Sequence, residues 1–253
     1  MPETIRDGVT DYIAFSVNRI GLYAAFVPKL MAAVSRSQAS RVVDLCSGGG
    51  GPWASMLELT KKEGWQGQVL LTDYFPNTDA FRATQRLFPE QVAYTGSSVS
   101  ALDVPEDLRG FRTLSASFHH FTPDQAKLIL QDAVSKNQGI AVAEYTHRHP
   151  LMILTLLFVP IPVWLLTPFF RPFRWSRLFW TYLCPVIPLI VMFDGIVSCL
   201  RTYTPEELKE MVTDVPGSEK FDWDIGVVTG RGLPVGVGYL IGVPKRPVDS
   251  AAT

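Results

Sequence analysis

The chain is poor in cysteine, carries no charge imbalance, and has neither an internal repeat nor a low-complexity tract. Three cysteines, Cys46, Cys184 and Cys199, stand in 253 residues. Their odd number, and the lack of any CxxC or Cys/His spacing, exclude a disulfide framework and a structural zinc site, and no metal is expected. Thiols this few fit a reducing compartment. Lysine and arginine number 23 against 24 aspartate and glutamate, so nothing marks the clustered basic surface that nucleic acid requires. The opening MPETIRDGVTDYIAF has no basic segment followed by an apolar run. No signal peptide is expected, and the expected location is cytoplasmic. Apolar residues make up 47% of the chain, which allows a full core and excludes global disorder.

What is present alternates in type. Residues from Asp11 to Val34 have apolar side chains at helical spacing, with Pro28 expected to kink or divide the helix. Strands are expected at Arg41–Leu45, Val69–Asp73, Val92–Tyr94, Leu114–Ser117 and Ile140–Glu144. Helices are expected after Pro52, at Thr78–Leu87 and at Pro123–Ser135. This β-α-β order predicts a mostly parallel sheet covered on both faces. Thr122-Pro123-Asp124-Gln125 and Thr204-Pro205-Glu206-Glu207 both read as helix starts, with Thr capping, Pro at the first helical position and Gln or Glu at the third. After the second helix, Trp223–Val228 and Val235–Val243 follow each other with only a glycine-containing turn between them, which predicts an antiparallel hairpin.

The chemistry concentrates in Val42-Val43-Asp44-Leu45-Cys46-Ser47-Gly48-Gly49-Gly50-Gly51-Pro52. A strand runs into four glycines and then a helix. Glycine lets a ligand approach the backbone at the strand's carboxyl end, and the helix offers unpaired N–H groups. Asp44, before the glycines, would repel a pyrophosphate and suits a ligand with a cationic amino group. Asp73, with Tyr74 beside it, ends the next strand about 20 residues beyond the loop, where an acid can bind ribose hydroxyls. S-adenosylmethionine, with a ribose, an amino acid head and no phosphate, matches both carboxylates.

Here the sequence resembles the class I, Rossmann-like S-adenosylmethionine-dependent methyltransferases, whose first motif reads roughly Asp-x-Gly-x-Gly-x-Gly. Asp44, Cys46, Gly48 and Gly50 occupy that pattern, with Cys46 in place of the first glycine. The resemblance implies that Asp73 holds the ribose. It places the adenine near Gly96–Asp103, with Ser98 and Asp103 as candidates, and Ser117 in the fourth motif within Ser115–Phe121. It also implies a seven-stranded, mostly parallel α/β sheet with an antiparallel closing strand. His119 and His120 adjoin the expected transfer site, and either could take a proton from an acceptor. Glu144, at the next strand end, could hold substrate or pair with a base such as Arg201. Asp194 reads as a turn residue.

Between Glu144 and Thr204 the character changes. Leu151–Phe170 and Leu178–Phe193 contain no charged residue, and the connector Arg171–Arg177 is basic and aromatic. Prolines interrupt both apolar runs, and two crossings of a bilayer would carry the arginines to the far side. A hairpin on the cytoplasmic leaflet, with Phe173, Trp175 and the arginines at headgroup level, is one expectation; a lid or dimer contact and a two-span hairpin are the others. The expected organisation is a helical segment over 1–40, a core over 41–149 and 202–247, and an apolar helical insertion over 150–201. The function expected is methylation of a small hydrophobic acceptor (lipid, quinone or isoprenoid-like). A non-catalytic cofactor-binding module recruited to a membrane or partner, and a nicotinamide-dependent oxidoreductase, are the alternatives.

Overall fold

The structure is a computed structural model that describes residues 3–170, 173–230 and 236–245. Seven strands form one sheet: β1 Arg41–Leu45, β2 Gln68–Leu71, β3 Val92–Tyr94, β4 Phe111–Ser115, β5 Ile140–Glu144, β6 Phe221–Val228 and β7 Val237–Pro244. Their order across the sheet is β3-β2-β1-β4-β5-β7-β6. The first five are parallel, whereas β7 lies antiparallel to both β5 and β6. The expected α/β sheet with its reversed closing strand is therefore present.

The strands alternate between two cores, as a sheet covered on both faces requires. Val42, Ala141, Ala143 and Tyr239 join one core with α2 Val27–Arg36 and α3 Trp53–Lys62. Val43, Leu114, Val142 and Leu240 join the other with α5 Pro123–Ser135 and α10 Pro205–Thr213. Helix α4 Thr78–Leu87 adds Phe81 to the first core. Both expected capping boxes form, at Thr122 with Gln125 and at Thr204 with Glu207.

Several boundaries differ from expectation. The first helix, α1, runs Glu3–Ile20 and breaks at Gly21 (φ +68°), not at Pro28. Pro28 sits in the first turn of α2, where its missing N–H costs nothing. Strand β2 stops at Leu71: the Thr72 N–H makes the last rung, to the Asp44 carbonyl, but the Thr72 carbonyl accepts from the Ser47 N–H of the loop. Strand β4 begins at Phe111 and ends at Ser115, since Ala116 turns out at φ +51°. Its buried Arg112, paired with Asp132 at 2.6 Å, interrupts the apolar run that would have marked its start. The expected start of the last strand, Val235, lies outside the described residues.

The insertion forms short helices, α6 Pro150–Leu156, α7 Pro160–Leu166 and α8 Trp175–Leu178, followed by the longer α9 Val186–Arg201. A third core unites it with α1: Ile5, Val9 and Tyr12 meet Val163, Phe170, Ile187 and Val191. Arg177 donates to the Asp11 carboxylate, and Arg174 lies 3.4 Å from Asp7 and 3.7 Å from Asp79. These two arginines, expected at headgroup level, are turned inward onto carboxylates; Arg171 lies outside the described residues. Asp194 is no turn residue but sits inside α9, where Gly195 admits the Leu156 side chain of α6.

Among the described residues no single helix is long and apolar enough to cross a bilayer. Two helix pairs reach that length only jointly, 150–169 bent by 44° and 175–201 bent by 78°.

Candidate active site

The loop after β1 is built from residues in the left-handed region. Cys46 (φ +58°), Gly48 (φ +52°), Gly50 (φ +98°) and Gly51 (φ +60°) fold it back on itself, with the Gly50 and Gly51 N–H groups donating to the Ser47 carbonyl. Helix α1 lies directly across this loop. A Cβ at Gly49 would stand 3.0 Å from the Thr10 carbonyl oxygen, so a side chain there would push α1 back from the loop by a few tenths of an ångström. Asn18 of α1 completes the junction, donating to the Gly51 carbonyl at 2.9 Å and accepting from the Ser55 N–H at 2.8 Å.

Asp73 stands beside the loop. Its Oδ2 accepts the Gly48 N–H at 2.8 Å and its Oδ1 the Phe75 N–H, also at 2.8 Å. Both oxygens keep further acceptor capacity. Together the loop, Asp73 and the turn after β4 wall a cavity of about 360 Å³ at the carboxyl edge of β1 and β4. That volume is ample for a small organic ligand, and this edge is where open α/β sheets bind them. A depression of about 540 Å³ lies at the opposite, amino edge, beside Arg41, Gln68 and Gly139.

Cys46, Gly48, Asp73 and Ser117 all line the first cavity. The Ser117 hydroxyl is buried there, within reach of the Cys46 thiol. Burial, and then the charges of Asp73 and Asp44, push the Cys46 thiol up to about 12. Two of the non-glycine residues at positive φ, Cys46 and Ala116, line this one cavity, and strain of this sort collects at functional sites.

Other expected residues are placed differently. Asp44 does not reach the cavity wall and cannot touch a ligand's ammonium there. It is sealed beneath the loop at 1% exposure, with Oδ2 accepting from Ser47 Oγ at 2.6 Å and Oδ1 from Thr113 Oγ1 at 2.7 Å. Burial raises its carboxyl to about 6 against the pull of those two hydroxyls. Gly50 shapes the loop from behind, its Cα facing Thr84 of α4. Tyr74 is exposed and outside the cavity, and Ser98 donates to its carbonyl at 2.7 Å. Asp103 is turned away, ion-paired at 2.8 Å with Lys136, just past the end of α5.

The histidine pair divides. His119 is buried and faces Glu144, whereas His120 lines the cavity. Glu144 neither meets substrate space nor pairs with Arg201. Its Oε1 accepts the Phe118 and His119 N–H groups at 2.8 and 3.2 Å, and its Oε2 lies 2.9 Å from His119 Nδ1. Arg201 instead donates to the His120 carbonyl at 3.0 Å. The His120 ring lies 4.3 Å from that of His119, tilted by 46°. Lost hydration and then His119 lower its pKa, against the opposing charges of Asp194 and Glu144.

The roof comes from elements that sequence reasoning left out of the site. Val9, Ile13 and Val17 of α1 and Ile190 of α9 supply apolar wall, and Asp194 supplies a carboxylate. A single acid in an otherwise uncharged run was the available signal for Asp194. Among the described residues, no group of three or more His, Cys, Asp or Glu could hold a metal ion.

No family model matches the sequence, and no curated protein sequence matches it. Solved structures do match. The plantazolicin methyltransferase BpumL, determined with SAH, aligns over 96% of this chain and 97% of its own at a TM-score of 0.54 and 11% identity. The methyltransferase domain of bacterial CtHen1 aligns over 88% and 99% at 0.51 and 13% identity. The fold is that of the class I methyltransferases. Human N-acetylserotonin methyltransferase, determined with SAM, also shares it, at a TM-score of 0.52 and 13% identity. There the match covers 95% of this chain but 57% of the longer human one. The methyltransferase fold differs from the dinucleotide-binding order 3-2-1-4-5-6 at the reversed β7, which separates this sheet from that of a nicotinamide-dependent oxidoreductase.

Proposed function

We propose that this chain is an S-adenosylmethionine-dependent methyltransferase acting on a small hydrophobic acceptor of lipid, quinone or isoprenoid-like character. One observation carries the reading: a single cavity joins the glycine loop and Asp73 on one side to His120 and an apolar roof on the other. The residues fit the cofactor. Space is open beside Gly48, Asp73 offers unused acceptor capacity for ribose hydroxyls, and Ser117 lines the same cavity. The solved neighbours with SAM and SAH support the same ligand.

When bound, S-adenosylmethionine supplies an electrophilic methyl group on a sulfonium. The chain's contribution is to align the acceptor in a site screened from water. Val9, Ile13, Val17 and Ile190 exclude water and select an apolar body. His120, held below its ordinary pKa, is neutral at pH 7 and takes the proton from an acceptor hydroxyl or amine. Asp194 faces the same space and stabilises the imidazolium that results. Glu144 and His119 fix the backbone turn that carries His120.

Calorimetry tests the first half. S-adenosylmethionine is expected to bind in the micromolar range, with competition by S-adenosylhomocysteine, and Asp73→Ala to weaken it at least about tenfold, the worth of a charged hydrogen bond. No heat with wild type, or an unchanged Asp73→Ala, refutes the reading. Binding without turnover over a lipid and quinone panel favours a non-catalytic module instead.

A further inference from the structure

The outward side of the insertion is not accounted for by the cofactor reading. Most of the exposed large apolar side chains among the described residues fall within 151–193, including Leu154, Phe158, Trp164, Leu165, Trp175 and Leu183. Phe158, Phe169, Trp175 and Phe193 are 62%, 68%, 77% and 67% exposed. At roughly 150–250 Å² each when fully buried, those four alone offer on the order of 500 Å². With the leucines, the summed apolar exposure of the insertion exceeds the roughly 300–600 Å² that the largest contiguous apolar patch covers on a typical monomer.

Among the described residues this surface also carries little charge. No Asp, Glu or Lys occurs from 151 to 193. Arg174 and Arg177 point inward to Asp7 and Asp11. Two aromatic polar tips are satisfied within the insertion: Trp164 Nε1 donates to the Thr181 carbonyl at 3.1 Å, and the Tyr182 hydroxyl donates to the Trp164 carbonyl. A protein partner gains specificity from unsatisfied polar groups at a rim. Hydrocarbon penalises every such group, so it demands that they be satisfied internally. The helices that carry this face are short and bent against each other by 44° and 78°, which suits lying in the interfacial layer.

We propose that this face of α6–α9 docks on the surface of a phospholipid bilayer, entering the headgroup and upper acyl region without crossing it. Helix α9 then connects the bilayer to the cavity. Leu189 and Phe193, four residues apart, point outward, while Ile190 and Asp194, offset by one, line the cavity. A docked molecule holds its acceptor space one helix away from the lipid phase. The docking stands apart from the cofactor reading, because it uses none of the residues that wall the loop side of the cavity.

Flotation of the full chain with phosphatidylcholine vesicles tests it. Wild type is expected to rise with the vesicles, and to do so equally at roughly 0.5 M NaCl, where exposed charge attraction is screened. The triple variants F158E/L165E/W175E and F158S/L165S/W175S are expected to stay below, while L87E/L128E, altered at exposed leucines elsewhere, floats like wild type. Circular dichroism confirms that each variant is folded, and calorimetry with S-adenosylmethionine keeps failure of docking distinct from failure of cofactor binding. The proposal is overturned if wild type does not float, or if the folded triple variants float as it does. It is equally overturned if sedimentation shows a dimer that the triple variants dissolve while wild type ignores vesicles, since a second copy would then cover the face.

Discussion

Glu144 Oε2 and His119 Nδ1 lie 2.9 Å apart behind the cavity wall, so the carboxylate that ends β5 holds one histidine away from the chemistry that the next one faces. An ionised carboxylate only accepts, so Nδ1–H is the donor in this pair. The same carboxylate caps two buried backbone N–H groups. Glu144→Ala strands both, at about 1–3 kcal/mol for each orphaned group. Urea unfolding is expected to show a loss of roughly 2–4 kcal/mol, and Glu144→Gln, which keeps one carbonyl oxygen, a smaller loss.

The two histidines are expected to separate in kinetics. His120→Ala lowers turnover by roughly 10²–10⁴, the usual worth of a proton-transferring side chain, with cofactor affinity unchanged. His119→Ala acts mainly on stability, because its ring touches Glu144 and not the cavity. Equal losses of turnover in both, at equal stability, would contradict this division.

The sheet was largely legible because most strands are marked by an apolar run and a bounding glycine or capping box; β1, β3 and β5 match their expected limits residue for residue, whereas Arg112 hid the start of β4. The loop and Asp73 were legible too, since glycines at one strand end and an acid at the next are local signals. What stayed hidden was side-chain direction. Asp44 and Asp73 look equivalent in sequence, yet Thr113 and Ser47 draw the first inward while the second faces the cavity. His119 and His120 differ only by which side of a single 3-10 turn they occupy. The roof was hidden for another reason: α1 and α9 meet across more than 160 residues of chain, and no periodicity encodes that pairing.

Cys46 offers a test of loop strain. A non-glycine residue held in the left-handed region costs about 1–2 kcal/mol, and glycine removes that cost while adding back some unfolded-state entropy. Cys46→Gly is therefore expected to raise stability by roughly 0.5–1 kcal/mol in urea. Its thiol, pushed up to about 12, is expected to resist alkylation by iodoacetamide at pH 8 in the native protein and to react once unfolded.

Arg177 and Asp11 form the roof's inner ion pair, both largely buried. Burial raises the Asp11 carboxyl even against the lowering charge of Arg177. Breaking such a pair from one side leaves an uncompensated buried charge, at about 3–5 kcal/mol. Arg177→Met is expected to loosen α1 from the insertion, with faster hydrogen exchange in 5–20 and 175–200 and little change in α5. Adding Asp11→Asn should recover part of the loss, because the orphaned charge is then gone.

Asp44 gives the protein a pH dependence of unusual sign. Its folded value, about 6, lies above the ordinary 3.8, so the folded chain holds this proton more tightly than the unfolded one. The cost of burying the charge is full above pH 6, on the order of 3 kcal/mol, shrinks as pH falls through 6, and is gone below 3.8. Between pH 7 and pH 5 this one group is expected to add about 1 kcal/mol of stability, and Asp44→Asn to abolish that increment in urea titrations. A cationic ligand in the neighbouring cavity favours the charged form through its field without touching the carboxylate. Cofactor binding near pH 6 should therefore release protons, measured as a dependence of calorimetric heat on buffer ionisation enthalpy. The release should fall in Asp44→Asn and persist in His120→Ala; unchanged release in Asp44→Asn would show that the sealed carboxylate does not sense the ligand.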